Sequence, residues 1–296
     1  IKQRALQAIR ERYADFKSSF AAEKLEENHQ IIVSYQTARR WMIEDGLWKP
    51  RKQRKAEYRS WRPRKKYFGE LEQFDGSYHF WFEDRYCDND GNPIEVCLLT
   101  TIDDATGRIT KAKFSDNEGV IAVFNFWEEY VKDHGKPVAI YLDKFSTYKI
   151  NHKSAVDNKE LMTQFQRAMQ NLGIELITAH SPQAKGRIER LFQTLQDRLI
   201  KEMRLANINA PQEGNRFLEE VFIPKFNSKF SVFSQKEGNI YRNLSEIDRK
   251  NINCIFSVQS TRRVNNDFTI RFKNKWHQLA ELQPITVKAR EIVLVE

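Results

Sequence analysis

Residues 71–82 read LEQFDGSYHFWF, and two further stretches, VCLLTTI at 96–102 and RITKAKF at 108–114, follow in the same style. The first and third alternate apolar with polar residues, whereas the second is apolar almost throughout. A period of two marks a strand with one buried face, and a short apolar run between turn residues marks a strand buried on both. Asp104-Ala105-Thr106-Gly107 supplies a turn between the second and third stretches. Together they predict an antiparallel meander of three strands.

Toward the C-terminus the period changes. A helix is expected over Val120–Asp133, a strand over Val138–Leu142, a helix over Leu161–Asn171, a strand over Ile174–Thr178 and a long helix over Gln183–Arg204. The order β-β-β-α-β-α-β-α predicts an α/β fold, a mixed sheet with helices against its faces. An aromatic-rich helical stretch, Glu213–Phe233, and a polar connector come next. Three strand-like segments close the chain, Ile255–Val264, Phe268–His277 and Ile285–Val295, with a turn at Asn265-Asn266-Asp267; they are expected to form a small β-barrel.

Toward the N-terminus, Lys2–Tyr13 and Ala21–Asn28 carry helical apolar spacing. Ser34 is placed as the N-cap of a third helix over Tyr35–Asp45, with Ala38, Trp41 and Met42 on one face. Two helices separated by a short break, the second bearing Arg39 and Arg40, resemble a helix-turn-helix whose recognition helix presents Tyr35, Gln36, Arg39 and Arg40 to DNA.

The chain has 296 residues, 40% of them hydrophobic and 12% aromatic, enough to build cores and to exclude wholesale disorder. No run approaches the length of a membrane span, and no apolar leader is visible. With Ile at position 1 we expect part of a longer protein. Cys87, Cys97 and Cys254 form no CxxC pair, which points to a reducing, cytoplasmic setting without a disulfide framework or structural zinc. Ten basic residues and one acid lie between Lys49 and Lys66, a surplus equal to the net charge of +9 for the whole chain. Such a strip, which includes Arg51, Lys52, Arg54 and Lys55 and is punctuated by Pro50 and Pro63, reads as an extended linker that displaces counterions from phosphates.

Three carboxylates stand where this topology could converge them. Asp75 lies on the first strand, Asp143 closes the strand VAIYLD, and Glu189 sits in the long helix. On a helical wheel Ile188, Leu191, Phe192, Leu195 and Leu199 form one narrow stripe that is expected to face the sheet, and Glu189 falls at its border. Hard oxygen ligands suit Mg²⁺ or Mn²⁺, and two such ions can serve both the attacking and the leaving oxygen of a phosphodiester displacement. Asp103 and Asp104 compete for this role, but their place at a turn opening suits turn hydrogen bonds. Lys185 and Arg187, flanking Glu189, are candidate clamps on DNA phosphates.

Several runs carry a family resemblance: RYADFKSSFAAEKL from Arg12, TARRWMIEDGLW from Thr37, GELEQFDGSYHFWFEDR from Gly69, IDDATGRI from Ile102, and TQFQRAMQNLGIELITAHSPQAKGRIERLFQTLQDRLIKEMR from Thr163. Over residues 10–235 the chain resembles ISNCY-type bacterial insertion-sequence transposases, within the DDE transposase and retroviral integrase superfamily. The resemblance implies a ribonuclease H-like catalytic core, a DDE triad matched to Asp75, Asp143 and Glu189 that binds Mg²⁺ or Mn²⁺ as two ions, an N-terminal helix-turn-helix and a small C-terminal β-barrel. It implies an enzyme that cleaves DNA at transposon terminal inverted repeats and transfers the freed 3′-OH into target DNA, as a homodimer or larger assembly, in the bacterial cytoplasm and at the nucleoid. The domains expected are residues 1–48 (helix-turn-helix), 49–67 (basic linker), 68–235 (catalytic core), 236–253 (connector) and 254–296 (barrel). The spacing from Asp143 to Glu189, 45 intervening residues, exceeds that of retroviral integrases and points to an insertion at Lys144–Lys159. Two alternatives stay open: a nuclease of the same fold without transposition activity, and a non-catalytic DNA-binding regulator.

Overall fold

The computed structural model describes residues 1–49, 62–142, 158–178, 186–282 and 285–296. Two compact units divide them. One gathers the described residues of Ile1–Arg62, Phe80–Ile94 and Glu189–Phe217; the other takes Pro63–His79, Glu95–Ile188 and Leu218–Glu296.

The first unit begins with three helices, α1 (Lys2–Arg12), α2 (Ser18–His29) and α3 (Tyr35–Glu44). Their core is Ala5, Ile9, Tyr13, Phe16, Phe20, Leu25 and Met42, with Phe16 and Phe20 stacked at 4.8 Å between ring centroids. Ser34 caps α3 as expected, its hydroxyl accepting from the Thr37 N–H at 3.1 Å. Such a cap contributes about 1 kcal/mol. The chain turns between α2 and α3 through Gln30, whose φ of 55° ends α2 in the left-handed region.

The second unit is built on a five-stranded mixed sheet of order β3-β2-β1-β4-β5. Its strands are β1 (Leu71–His79), β2 (Val96–Asp103), β3 (Ile109–Ser115), β4 (Ala139–Leu142) and β5 (Glu175–Thr178). The meander β1-β2-β3 is antiparallel, whereas β4 runs parallel to β1 and β5 parallel to β4. Parallel neighbours need crossovers, and helices α4 (Val120–His134) and α5 (Asn158–Asn171) supply them, followed by α6 (Gly186–Leu205). One face of the sheet buries an aromatic core in which Phe74 of β1 meets Trp127 at 5.4 Å and Phe126 at 5.3 Å. The loop from β2 to β3 turns at Gly107, whose φ of +70° favours glycine.

The aromatic-rich stretch expected after α6 forms α7 (Pro211–Phe217), a π-helical turn at Leu218–Phe222 and α8 (Ile223–Phe230). The connector is less polar in effect than in sequence: α9 (Glu246–Lys250) lies in it, α10 (Ile252–Ile255) runs past its end into the stretch expected as a strand, and Leu244, Ile252, Ile255 and Phe256 join the aromatic core.

The C-terminal segment corrects the expectation of a barrel. Its strands β6 (Ser260–Arg263), β7 (Thr269–Phe272), β8 (Lys275–Gln278) and β9 (Ile292–Val295) pair as two separate two-stranded sheets, β6-β9 and β7-β8, and no closed barrel exists among the described residues. The stretch Phe268–His277 is a hairpin rather than one strand. Lys273 and Asn274, at φ 47° and 61°, make a two-residue turn with both central residues left-handed, the geometry that matches strand twist. Four-residue strands with β8 exposed throughout have too little apolar surface to close on themselves. No helix among the described residues is long and apolar enough to cross a membrane.

Candidate active site

Asp75 stands at the middle of β1, half-buried, opposite Thr100 of β2. Side chains alternate along a strand, so Phe74, Gly76 and Tyr78 take the aromatic face while Gln73 and Asp75 share the other. At Gly76 a Cβ would lie 2.8–3.0 Å from the Glu118 carboxylate, the movable end of a long side chain that can swing aside. Burial, then the charges of Glu118 and Asp75, push the Cys97 thiol well above its ordinary pKa. That thiol is therefore inert near neutrality.

Glu189 is exposed in the first turn of α6, where a helix N-terminus favours a negative charge. The stripe beside it is buried: Ile188, Leu191, Phe192, Leu195 and Leu199 are 0–7% exposed. Asp143 lies outside the described residues; Leu142, its chain neighbour, is the buried last residue of β4. Among the described residues no group of three or more His, Cys, Asp or Glu side chains is placed to hold a metal ion.

The competing acids are engaged by hydrogen bonds within the fold. Asp103 accepts from the Thr106 N–H at 2.7 Å, the Thr106 hydroxyl at 2.6 Å and the Gly69 N–H at 3.1 Å. Asp104, fully buried, accepts from Gln73 Nε2 at 2.7 Å, the Lys65 N–H at 2.9 Å and Arg187 Nη1 at 3.0 Å. Asp103 therefore serves the turn, as its position in the sequence suggests, whereas the Asp104 carboxylate binds groups far from the turn in sequence. Arg187, a candidate clamp on DNA phosphates from the sequence, has a side chain 12% exposed, and its guanidinium lies 3.0 Å from the buried Asp104 carboxylate. Gln73 went unnoticed in the sequence because nothing in a strand pattern distinguishes a buried amide from a solvent-facing one.

On α3, Tyr35, Gln36, Arg39 and Arg40 are all exposed, while Ala38 and Met42 are buried. The Arg39 guanidinium lies over the Trp48 ring at 4.8 Å, and Arg40 pairs loosely with Glu44 at 3.9 Å. Of the basic strip, Arg51, Lys52, Arg54 and Lys55 lie outside the described residues, as does Lys185. Its described end is anchored: Arg64 donates to the carbonyls of Asp104 and Ala105, and Lys65 Nζ pairs with Glu70 at 3.2 Å.

No protein-family model matches the chain. It is 40% identical over 281 residues to "Putative transposase y4bF" of Sinorhizobium fredii (strain NBRC 101917 / NGR234), a match covering 95% of this chain and 59% of that protein. The chain is a sequence relative of transposases. A second relative, "Transposase for insertion sequence IS1202" of Streptococcus pneumoniae, is 36% identical over 222 residues, covering 72% of this chain and 43% of that protein. The chain thus spans about half the length of the curated relatives it matches. Among solved structures, a cryo-EM structure of the simian T-cell lymphotropic virus intasome, in complex with PP2A regulatory subunit B56 gamma, aligns with a TM-score of 0.42 at 15% identity, over 70% of this chain and 65% of that one.

Proposed function

We propose that this chain is the DNA-binding and catalytic part of a DDE-type transposase, a metal-dependent polynucleotidyl transferase with a ribonuclease H-like core. The observation that carries the reading is the sequence relationship to a transposase across 95% of the chain. The sheet supports it. The β1-β4 ladder pairs Leu71 with Ala139, Glu72 with Ile140 and Gln73 with Tyr141. Asp75 stands two residues beyond Gln73, and Asp143 two residues beyond Tyr141. The ladder sets the described residues that lead to the two carboxylates on neighbouring strands.

Asp75, Asp143 and Glu189 are the residues that would hold Mg²⁺ or Mn²⁺, because three carboxylates form an all-oxygen set that suits hard divalent cations. Bound there as a pair, such ions supply charge stabilisation for in-line phosphodiester displacement. In the first step a water oxygen forms a P–O bond at the transposon end as the P–O bond to the leaving 3′ oxygen breaks, giving a 3′-OH. That hydroxyl then attacks a target phosphodiester, exchanging one P–O bond for another and releasing a target 3′-OH. In each step the attacking oxygen gives its proton to a carboxylate or to water.

Tyr35, Gln36, Arg39 and Arg40 read the terminal inverted repeats from α3, as the recognition helix of a helix-turn-helix, while Arg51, Lys52, Arg54, Lys55 and Lys185 follow the phosphate backbone. The reading also takes the domain limits expected from the sequence, assembly as a homodimer or larger on two DNA ends, and a place in the bacterial cytoplasm at the nucleoid. The test is incubation of the chain with Mg²⁺ or Mn²⁺ and a plasmid carrying the DNA that flanks its own gene. Nicks at defined ends, lost with chelator and with Asp75→Asn, are expected. Specific binding without any cleavage would turn the reading to a DNA-binding regulator, and cleavage without end preference to a nuclease.

A further inference from the structure

Resting on that reading of Asp75 and Glu189, the geometry points to Gln73 as a positioning residue: its amide ties β1 to the first turn of α6. Gln73 is fully buried, on the same strand face as Asp75 and two residues before it. Its Oε1 accepts from the Ile188 N–H at 3.3 Å, and its Nε2 donates to Asp104 Oδ1 at 2.7 Å. The Ile188 N–H belongs to the first turn of α6, where backbone donors have no partner within the helix. An N-cap usually comes from the residue preceding the helix; here a cap is supplied by a strand far away in sequence.

The neighbouring contacts make the tie rigid. Asp104 Oδ1 also accepts from Arg187 Nη1 at 3.0 Å, and Asp104 Oδ2 accepts from the Lys65 N–H at 2.9 Å. The turn residue Asp104 therefore holds both the Gln73 amide and the Arg187 side chain of α6. An amide donates through one end and accepts through the other, so Gln73 can satisfy Asp104 and Ile188 at once. A leucine would satisfy neither, and a glutamate would set a second negative charge against Asp104. Glu189 follows Ile188 directly, so the tie fixes the stretch of α6 backbone from which the third carboxylate projects. Groups that orient metal ligands from outside are typically worth 10–100-fold in metal affinity or activity.

The test uses the full chain, with Mn²⁺ alone as the metal probe, in wild type, Gln73→Leu, Arg187→Gln and Asp75→Asn. Amide hydrogen exchange is read along α6 and the sheet, and Mn²⁺ binding is followed by electron paramagnetic resonance. Gln73→Leu is expected to speed exchange at Ile188 and Glu189 at least about tenfold without changing the β1-β2 amides, and to weaken Mn²⁺ binding by about 10–100-fold. Wild-type exchange in the first turn of α6 would overturn the proposal. So would faster exchange with undiminished Mn²⁺ binding, provided that Asp75→Asn loses the ion. Should Gln73→Leu fail to fold, Arg187→Gln puts the same turn at risk from the helix side, and unchanged exchange there overturns the tie equally. Equal Mn²⁺ binding by wild type and Asp75→Asn would instead defeat the catalytic reading, and exchange at Ile188 would still decide the tie.

Discussion

The Lys24 ammonium lies 2.6 Å from the Glu202 carboxylate, joining α2 to the C-terminal half of α6. Lys24 is 3% exposed and also pairs with Glu27 at 2.8 Å. The bridge is one of a row: Arg198 forks onto Glu23 at 2.6 and 2.9 Å, and Arg204 holds both Asp15 and Glu83. Arg198 and Lys201 further lie over the Phe20 and Phe16 rings at 4.6 and 5.2 Å. The N-terminal helices are thereby bound into one unit with the helix that carries Glu189.

Breaking that buried pair from one side leaves an uncompensated charge. Lys24→Met should cost about 3 kcal/mol in urea unfolding, and the double change Lys24→Met, Glu202→Met should recover most of it. A loss below about 0.5 kcal/mol for the single change would put the row among ordinary surface pairs.

The three carboxylates should behave as one unit. Asp75→Asn, Asp143→Asn and Glu189→Gln are each expected to abolish both cleavage and strand transfer while leaving end binding and Tm near wild type, and double changes should cost no more than single ones. Near-normal turnover by any one of them removes that residue from the site.

Arg39 is exposed on α3 and braced by Trp48. If its fork meets a guanine edge, Arg39→Ala should cost roughly 1–3 kcal/mol on the cognate end and relax preference at one position. Equal weakening on random duplex would make it a phosphate contact, and unchanged binding would leave α3 a purely structural helix. Competition binding against single-position variants of the end reads all three.

Changing Arg51, Lys52, Arg54 and Lys55 together to Gln should weaken binding to every sequence and leave base preference alone. With all four on phosphates, the slope of log K against log salt should flatten by up to about 3.6, from about 0.9 per contact. A slope that does not move would show a strip that is merely solvated.

Glu72 offers a prediction of opposite sign to ordinary acid denaturation. It is fully buried, and burial, then the charge of Asp103, raises its pKa well above the usual value; hydrogen bonds from Tyr241 at 2.5 Å and Thr110 at 2.7 Å oppose the shift without cancelling it. A raised folded-state pKa means stability that is whole below the unfolded value of about 4.3 and declines as pH rises toward the folded value. Glu72→Gln should therefore match wild type near pH 4 and gain on it by up to about 1.4 kcal/mol per pH unit above that. Denaturant midpoints that stay parallel from pH 4 to pH 8 would show no such proton uptake.

Periodicity, turn chemistry and charge, all local properties of the chain, determined the meander at residues 71–114, the α/β order that follows it, the Ser34 cap and the buried stripe of α6; each needs only neighbours within a few residues. Tertiary structure alone decided what the polar residues do. In the sequence Asp104 reads as a turn acid and Arg187 as a clamp on DNA phosphates; packing brings them to 3.0 Å, where desolvation makes each the other's partner. Gln73 becomes a cap for α6 only because the fold sets β1 beside a helix that begins 113 residues further along the chain. The C-terminal strands turn on the same difference: their apolar residues were visible in sequence, but whether four-residue strands close into a barrel or stop as separate ribbons depends on long-range pairing, which no local pattern encodes.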